Sequence, residues 1–463
     1  MTSPSALATA DLSQERTGGH QRAWAWYDWA NSAYVTTTGT VLIAPYLTAI
    51  ARTAACPDLL PGETCSTPLR VLGIPVAAGS LAPYTITLAT VVSALVLLFV
   101  GAVADRTSRP TWLLGGFAWV GAAAAMGMFF LTGANWQLGV VLIVVANLCL
   151  GASTVVYDAL LVRVAHPDER DRVSSRGWAL GYLGGGLLLA LNLGLLQLAG
   201  PLGLDEATAV RISLLSAGVW WAVFTLIPVR GLRRLRGTTA PPVERGAGVL
   251  GGTLVQLRTT FRELRGYPVT LTFLVAYLFY NDGIQTVIAS ASLYGTEELG
   301  FAASQMIVTI LVVQFVAFGG ALLFGRLAAR VGAWRVVLAG IGLWTGVVGF
   351  AFFVPTGAFG LWLVCAVGIG IVLGGTQALS RSMYSQLVPR GRESEFFSLY
   401  QAMERGTSWL GTLTFGLVYQ LGGSYRLAIV SVVIFFALGG LVLSRVDMRR
   451  GIREAGNEQP RVV

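Results

Sequence analysis

The chain contains no lysine. All 32 of its basic residues are arginine, and histidine occurs only as His20 and His166. There is no glycine-rich turn ending in Lys-Ser or Lys-Thr to hold nucleotide phosphates, no nucleophile–base pair, and no metal-ligand spacing. These absences argue against an enzyme, a resident cofactor or metal, and an ATP motor within the chain. Both histidines fall outside the apolar runs, which excludes a histidine proton relay. Charge itself is scarce at 12% of 463 residues, against about 25% in a soluble domain.

What is present is apolar. Hydrophobic residues make up 54% of the chain. That much greasy surface cannot be hidden in one water-soluble core, so the bilayer serves as solvent. The 57 glycines sit largely inside the apolar runs, where they permit close helix packing in lipid. Twelve runs approach the ~20 residues that cross a ~30 Å core. They cover roughly 24–49, 81–103, 111–132, 136–160, 177–199, 210–229, 268–290, 303–325, 334–354, 358–379, 397–421 and 426–445. The expected fold is all-α, with twelve transmembrane helices in two pseudo-symmetric six-helix bundles, 24–229 and 268–445. Polar tails at 1–23 and 446–463 and a linker at 230–267 complete the chain.

The net charge of +9 could suggest nucleic acid, but its distribution does not. Twenty-seven arginines fall in one set of loops and termini, four in the opposite set, and Arg405 inside a span. This is the positive-inside pattern, with both termini cytoplasmic and the excess charge facing anionic lipid headgroups. Compact loops point to the cytoplasmic membrane of a bacterium. Leu250, Leu254, Leu257, Phe261 and Leu264 recur at helical spacing in the linker, with Arg258, Arg262 and Arg265 elsewhere. That reads either as an amphipathic helix on the inner leaflet or as a solvated helix packed on the protein. Cys56 and Cys65 share one outer loop, either bridged or as two free thiols.

The two halves repeat. Asn147, Gly151, Thr154 and Asp158 in span four match Gly370, Gly374, Gln377 and Arg381 in span ten at a constant offset of 223. Each set lies on one helix face. Pro167 matches Pro389, and Ser174 matches Ser398, at nearly the same offset. The turn Gly101-Ala-Val-Ala-Asp105-Arg106-Thr-Ser-Arg109 returns as Gly325-Arg326-Leu-Ala-Ala329-Arg330-Val-Gly332. Such in-step agreement implies halves related by an axis along the membrane normal.

The first of these turns resembles the loop signature of the major facilitator superfamily, and the second its degenerate copy, with Ala329 where the acid would stand. Tyr27-Asp28-Trp29-Ala30-Asn31-Ser32-Ala33-Tyr34, Tyr280-Asn281-Asp282-Gly283 and Gly374-Gly375-Thr376-Gln377-Ala378-Leu379-Ser380-Arg381 resemble the branch of autophagy-related vacuole effluxers and their bacterial relatives. The resemblance implies that Asp105 faces the N-terminus of the eleventh helix and that Arg109 reaches an acid on span four, with Asp158 the candidate. Gly101, Asp105, Arg106, Arg109, Asp158, Gly325, Arg326 and Arg330 would then form a cytoplasmic gate. The alternative is a static topology anchor.

The resemblance also implies that spans one, four, seven and ten line a central cavity. Polar residues fall on those spans: Tyr27, Asp28, Asn31, Ser32, Tyr34 and Thr38; Asn147 and Thr154; Tyr277, Asn281, Asp282, Gln285 and Thr286; and Gln377. They suit a polar substrate path, with polar contacts between helices as the alternative. Glu404 and Arg405 interrupt span eleven and point about 100° apart, so Glu404 needs another partner or a proton. Burial favours the protonated form of a carboxyl, as a proton-carrying site requires. Asp282, Glu404 and Asp28 are the candidates, with Asp28 close to the interface and able to stay charged in water. Gly177-x3-Gly181-Tyr182-x2-Gly185-Gly186 is similar to a glycine motif of proton-coupled exporters, or simply lets spans five and eight pack closely.

These residues together describe a monomeric secondary transporter of a polar small molecule working by alternating access, and the branch resemblance implies amino-acid export. An exporter of amphipathic drug-like or lipid-like compounds, and a non-transporting sensor or assembly protein on the same fold, stand as alternatives.

Overall fold

The computed structural model describes residues 17–57, 65, 67–71, 73–235, 264–406 and 409–463. The linker heptad, apart from Leu264 and Arg265, lies outside them.

Among the described residues the molecule is helical, save for one hairpin. The first helix begins at Gly18, ahead of the expected position 24, because Thr17 caps it by accepting from the His20 N–H. It runs as α1 (Gly18–Ala33), a π-helical stretch Tyr34–Leu42, and α2 (Ile43–Ala55). A Thr-rich, Gly-containing stretch, Thr36-Thr37-Thr38-Gly39-Thr40, makes up most of the π segment. The loop to the next span carries β1 (Leu69–Val71) and β2 (Ile74–Val76), paired antiparallel, and a disulfide joins Cys56 to Cys65 with Cα atoms 5.9 Å apart. Then follow α3 (Leu81–Asp105), α4 (Pro110–Gly127), α5 (Trp136–Val164), α6 (Arg170–Gln197) and α7 (Glu206–Gly231). The second half has α8 (Pro268–Leu293), α9 (Ala303–Val331), α10 (Ala333–Phe353), α11 (Phe359–Gln386), α12 (Glu393–Gly406), α13 (Trp409–Gly422), α14 (Tyr425–Ser431), α15 (Val433–Ser444) and α16 (Met448–Glu454).

Ten helical stretches among the described residues are long and apolar enough to cross a membrane. Two of the twelve expected runs fall outside that set, for different reasons. The α8 helix has the length, but Tyr277, Asn281, Asp282 and Gln285 dilute its apolar character. The expected run 397–421 is carried by two helices, α12 and α13, of 14 residues each, about 21 Å apiece. The terminal 446–463 is polar, as expected, but not a loose tail. Helix α16 buries Met448 and Ile452, and Gly451 sits so close to Leu387 and Val269 that a Cβ would stand 2.6 Å from each.

Buried apolar side chains fall into two principal clusters. One draws on residues 23–235. The other draws on 264–452, joined by Ala159 and Val162 of α5. Where the halves meet, α3 lies along α12, α6 along α9 and α11, and α5 along α12. Polar and charged side chains line much of that seam, while Ala159 and Val162 of α5, with Leu98 and Tyr182 packed nearby, carry the second cluster across it.

Candidate functional site: a polar seam between the halves

The centre of the seam is Arg381. Helix α11 continues past the expected boundary at 379, so Arg381 sits inside the helix, on the face it shares with Gly370, Gly374 and Gln377. It is almost completely buried, and an isolated guanidinium there would cost several kcal/mol. The first half supplies its partners. Its Nη2 donates to Asp28 Oδ2 at 2.9 Å and to the Ser174 carbonyl at 3.1 Å. Its Nη1 donates to Asp158 Oδ1 at 3.2 Å and to Asp28 Oδ1 at 3.4 Å, and its Nε to Ser174 Oγ at 3.0 Å. The guanidinium also lies over three rings, with its carbon 4.8 Å from Trp24, 5.3 Å from Tyr157 and 5.4 Å from Trp178. Each such cation–π contact is worth about 0.5–2 kcal/mol. Tyr157 is itself pinned, stacked on Trp24 and donating from its hydroxyl to Asp28 Oδ2 at 2.8 Å.

This arrangement corrects two expectations. Asp158 answers to Arg381 and to Gln401, whose Nε2 donates to its other oxygen at 3.0 Å. Arg109, assigned to Asp158 on resemblance, is exposed at the start of α4. A buried acid at the seam takes the buried arginine facing it. Asp28 does not stay in water, because the seam closes over it and it is ion-paired.

A second group continues along the seam from Asp158. Gln401 also approaches Glu404 Oε2 at 3.4 Å, and Tyr277 donates to the same oxygen at 3.0 Å. Arg405, next in sequence, approaches Gly151 of α5, where a Cβ would stand 3.4 Å from its Nε. In the second half, Gln377 donates to Asn281 Oδ1 at 2.9 Å. Asp282 is fully buried and accepts from the Gly411 N–H at 2.7 Å. It thereby satisfies one of the orphan donors at the start of α13. The remaining expected cavity residues are bound locally: Asn31 to the Tyr27 carbonyl, Asn147 to Ile143 and Thr154 to Leu150. Tyr27, Tyr34 and Thr38 are buried in the first half. Ser32 and Gln285 are half-buried.

The gate turns lie at the Arg-rich end. Asp105 accepts from the Ser394 N–H at 2.8 Å and the Glu395 N–H at 2.9 Å, capping the first turn of α12 across the seam. Gly101 lets the helices touch: a Cβ there would stand 2.6 Å from Ser398 Cβ and the Ser394 carbonyl. Gly325 does the same on the other side, 2.6 Å from Ser175 Oγ. The repeat partner of Ser398 in this packing is therefore Ser175, one place from the Ser174 inferred from spacing. Ala329 has no carboxylate to offer α6, and α6 presents its own Asp171 to Ser382. Arg106, Arg326 and Arg330 are exposed. Arg170 extends the closure, donating to the Ser385 carbonyl at 2.8 Å, while Gln386 donates to the Pro167 carbonyl at 2.9 Å.

The glycine stripe of α6 does not chiefly meet α9. Gly181 would place a Cβ 2.6 Å from Ser32 Oγ, Gly185 2.5 Å from Thr36 Oγ1, and Gly177 in collision with Asp28. The stripe seats α1 and its polar face. Only Gly186 turns to α9, near Gln314, whose Nε2 donates to Thr36 at 2.6 Å. Spacing did not reveal Arg381, Tyr157, Ser174, Trp24, Trp178 and Gln401 as site residues. The signal that could have found Arg381 was its position opposite Asp158 in the repeat.

Two packed halves with a charged seam define a class of protein, and the whole chain matches that class. A bacterial homologue of the iron transporter ferroportin in an outward-facing state superposes with a TM-score of 0.65, covering 93% of this chain and 99% of that one at 14% identity. The fucose transporter FucP in an outward conformation gives 0.63, with 93% and 98% covered at 11% identity. The fold is that of major facilitator secondary transporters, which work by alternating access. Residues 16–456 match the family described as vacuole effluxer Atg22 like, and the chain belongs to that family. It is 28% identical to the uncharacterized MFS-type transporter YxiO of Bacillus subtilis, over 92% of this chain and 94% of that protein. It is 27% identical to autophagy-related protein 22 of Yarrowia lipolytica, over 84% and 79%. The protein is thus a multi-pass membrane transporter and not an enzyme.

Proposed function

We propose that the chain exports a polar small molecule, an amino acid, from the cytoplasm of a bacterium as a monomer, with both termini cytoplasmic. In this reading α8 and the α12–α13 pair also cross the bilayer, giving twelve spans in two six-helix halves. The observation that carries it is the Arg381 cluster, which ties Asp28 and Asp158 of one half to the other at the Arg-rich end. That closure corresponds to a state open to the outside. Release of Arg381 is what the return to the inward-open state requires.

Proton coupling is part of the same proposal. Around Arg381 and Arg405 the seam gathers three acids, Asp28, Asp158 and Glu404. A surplus carboxylate suits a proton or a substrate ammonium group. Glu404 is the least buried of the three, and Asp282 is the further candidate. Family relatives named as vacuole effluxers support export of a small solute, and the polar lining disfavours an apolar cargo.

The test is a thermal-shift screen of amino acids, peptides and drugs on purified protein, followed by flux of the hits in liposomes. A bound ligand raises the melting point by mass action. Stabilisation and flux by neutral amino acids, lost in Glu404→Gln, is the expected result. Stabilisation by amphipathic drugs alone would overturn it.

A further inference from the structure

The segment after α16 crosses the seam that the gate turns close. It is anchored firmly on the second half. Asn457 Nδ2 donates to the carbonyls of Gln386 at 2.9 Å and Val388 at 2.7 Å, satisfying acceptors at the end of α11. Gly332, at φ +93°, leaves room for the Val463 carbonyl, which would stand 2.5 Å from a Cβ there. The same segment then reaches the first half. The Arg461 N–H donates to Asp168 Oδ1 at 2.6 Å, and its Nε lies 3.6 Å from Asp168 Oδ2. Glu458 Oε1 faces His166 Nε2 at 3.5 Å. His166 and Asp168 belong to the short turn that leads into α6, the helix whose N-terminal end packs against α11 at the gate.

We propose that residues 456–463 form a strap that holds the Arg-rich face closed, fixed to the second half by Asn457 and latched onto the first by Asp168. Parting the two halves at this face separates Asp168 from Gln386. The strap is attached to both, so it must leave one of them. The strap is continuous with α16 of the second half, and Asn457 and Gln459 bind it there, so Asp168 is the end that releases. The inference rests on the rocking of two halves proposed above, and adds a restraint outside the twin turns and the Arg381 cluster.

Distances between spin labels at Arg230→Cys, the exposed end of α7, and Arg335→Cys, the exposed start of α10, report the separation of the halves. The native thiols do not interfere, since Cys149 and Cys365 are buried and Cys56 and Cys65 are bridged. Deletion of 456–463 is expected to raise the long-distance population about fivefold, as loss of one or two hydrogen bonds implies. Asp168→Ala should reproduce part of that rise. A disulfide between Asp168→Cys and Arg461→Cys should hold the short distance even when Asp105→Asn is present. If Asp105→Asn opens the face while both strap variants leave it unchanged, the strap is overturned. If Asp105→Asn, the deletion and Asp168→Ala all leave one distance, the rocking itself fails and the strap with it. Should the deletion not yield folded protein, Asp168→Ala and the cross-link decide the matter.

Discussion

Asp158 and Arg381 stand 223 positions apart, at equivalent places in the two halves, and their side chains meet each other across the seam at 3.2 Å. An internal repeat usually makes two copies of one contact. Here the copies have diverged into opposite charges that pair with each other. Asp158→Asn is expected to destabilise the closed form by about 1.5–3 kcal/mol, the range of a hydrogen bond to a charged group. The cost stays below the ~3–5 kcal/mol of a fully broken buried pair, because Asp28 still holds the guanidinium. Arg381→Gln should cost more, since it strands two carboxylates. Melting curves of both single variants and the double variant form a cycle. A coupling below ~0.5 kcal/mol would show that the contact has no energetic weight.

Asp105 caps the first turn of α12 from the other half. Asp105→Ala should remove about 0.5–2 kcal/mol of closure, and Asp105→Asn less, since its amide oxygen still accepts. Labelling of cysteines introduced at the Arg-rich ends of α6 and α11 should rise from the native protein through Asp105→Asn to Asp105→Ala. Equal labelling in all three proteins would leave Asp105 as a topology anchor.

Asp282 has a contact that asparagine can keep. Its carboxylate accepts from the Gly411 N–H, and an asparagine oxygen can do the same without charge. Asp282→Asn is therefore expected to fold with a melting point near that of the native protein and to lose proton-driven flux in liposomes. Full proton-driven flux in the variant would restrict Asp282 to organising α13.

The Cys56–Cys65 bridge has a mass signature. Denatured protein should take up two alkyl groups before reduction, at Cys149 and Cys365, and four afterwards. Four groups without reduction would show free thiols.

The sequence made the halves, the offset and the gate turns legible, because lipid imposes long apolar runs and the repeat leaves matching residues behind. It did not show what pairs with what. Arg109 and Arg381 are equally plausible partners for Asp158 in one dimension; only burial, set by how α5 meets α11, selects between them. The same limit hid the seat of the α6 glycines, since a small-residue stripe tells that a helix packs closely but not on which neighbour. The π-helical stretch after Ala33 left only a faint signal in its threonines. It takes Thr38 off the regular α-helical register of Asp28 and Asn31. The order of 446–463 was invisible to hydropathy because, beside the few apolar contacts of Met448 and Ile452, its anchors are the Gln386 and Val388 carbonyls and the Asp168 carboxylate.

The outer loop with its bridged cysteines and β1–β2 ribbon belongs to one half alone. Leu69 and Val71 seat it on the core of that half, a body that should swing as a unit. A binding protein raised against that ribbon would ride on the moving part without wedging it. Such a fiducial would let both end states be imaged at high contrast with turnover undisturbed.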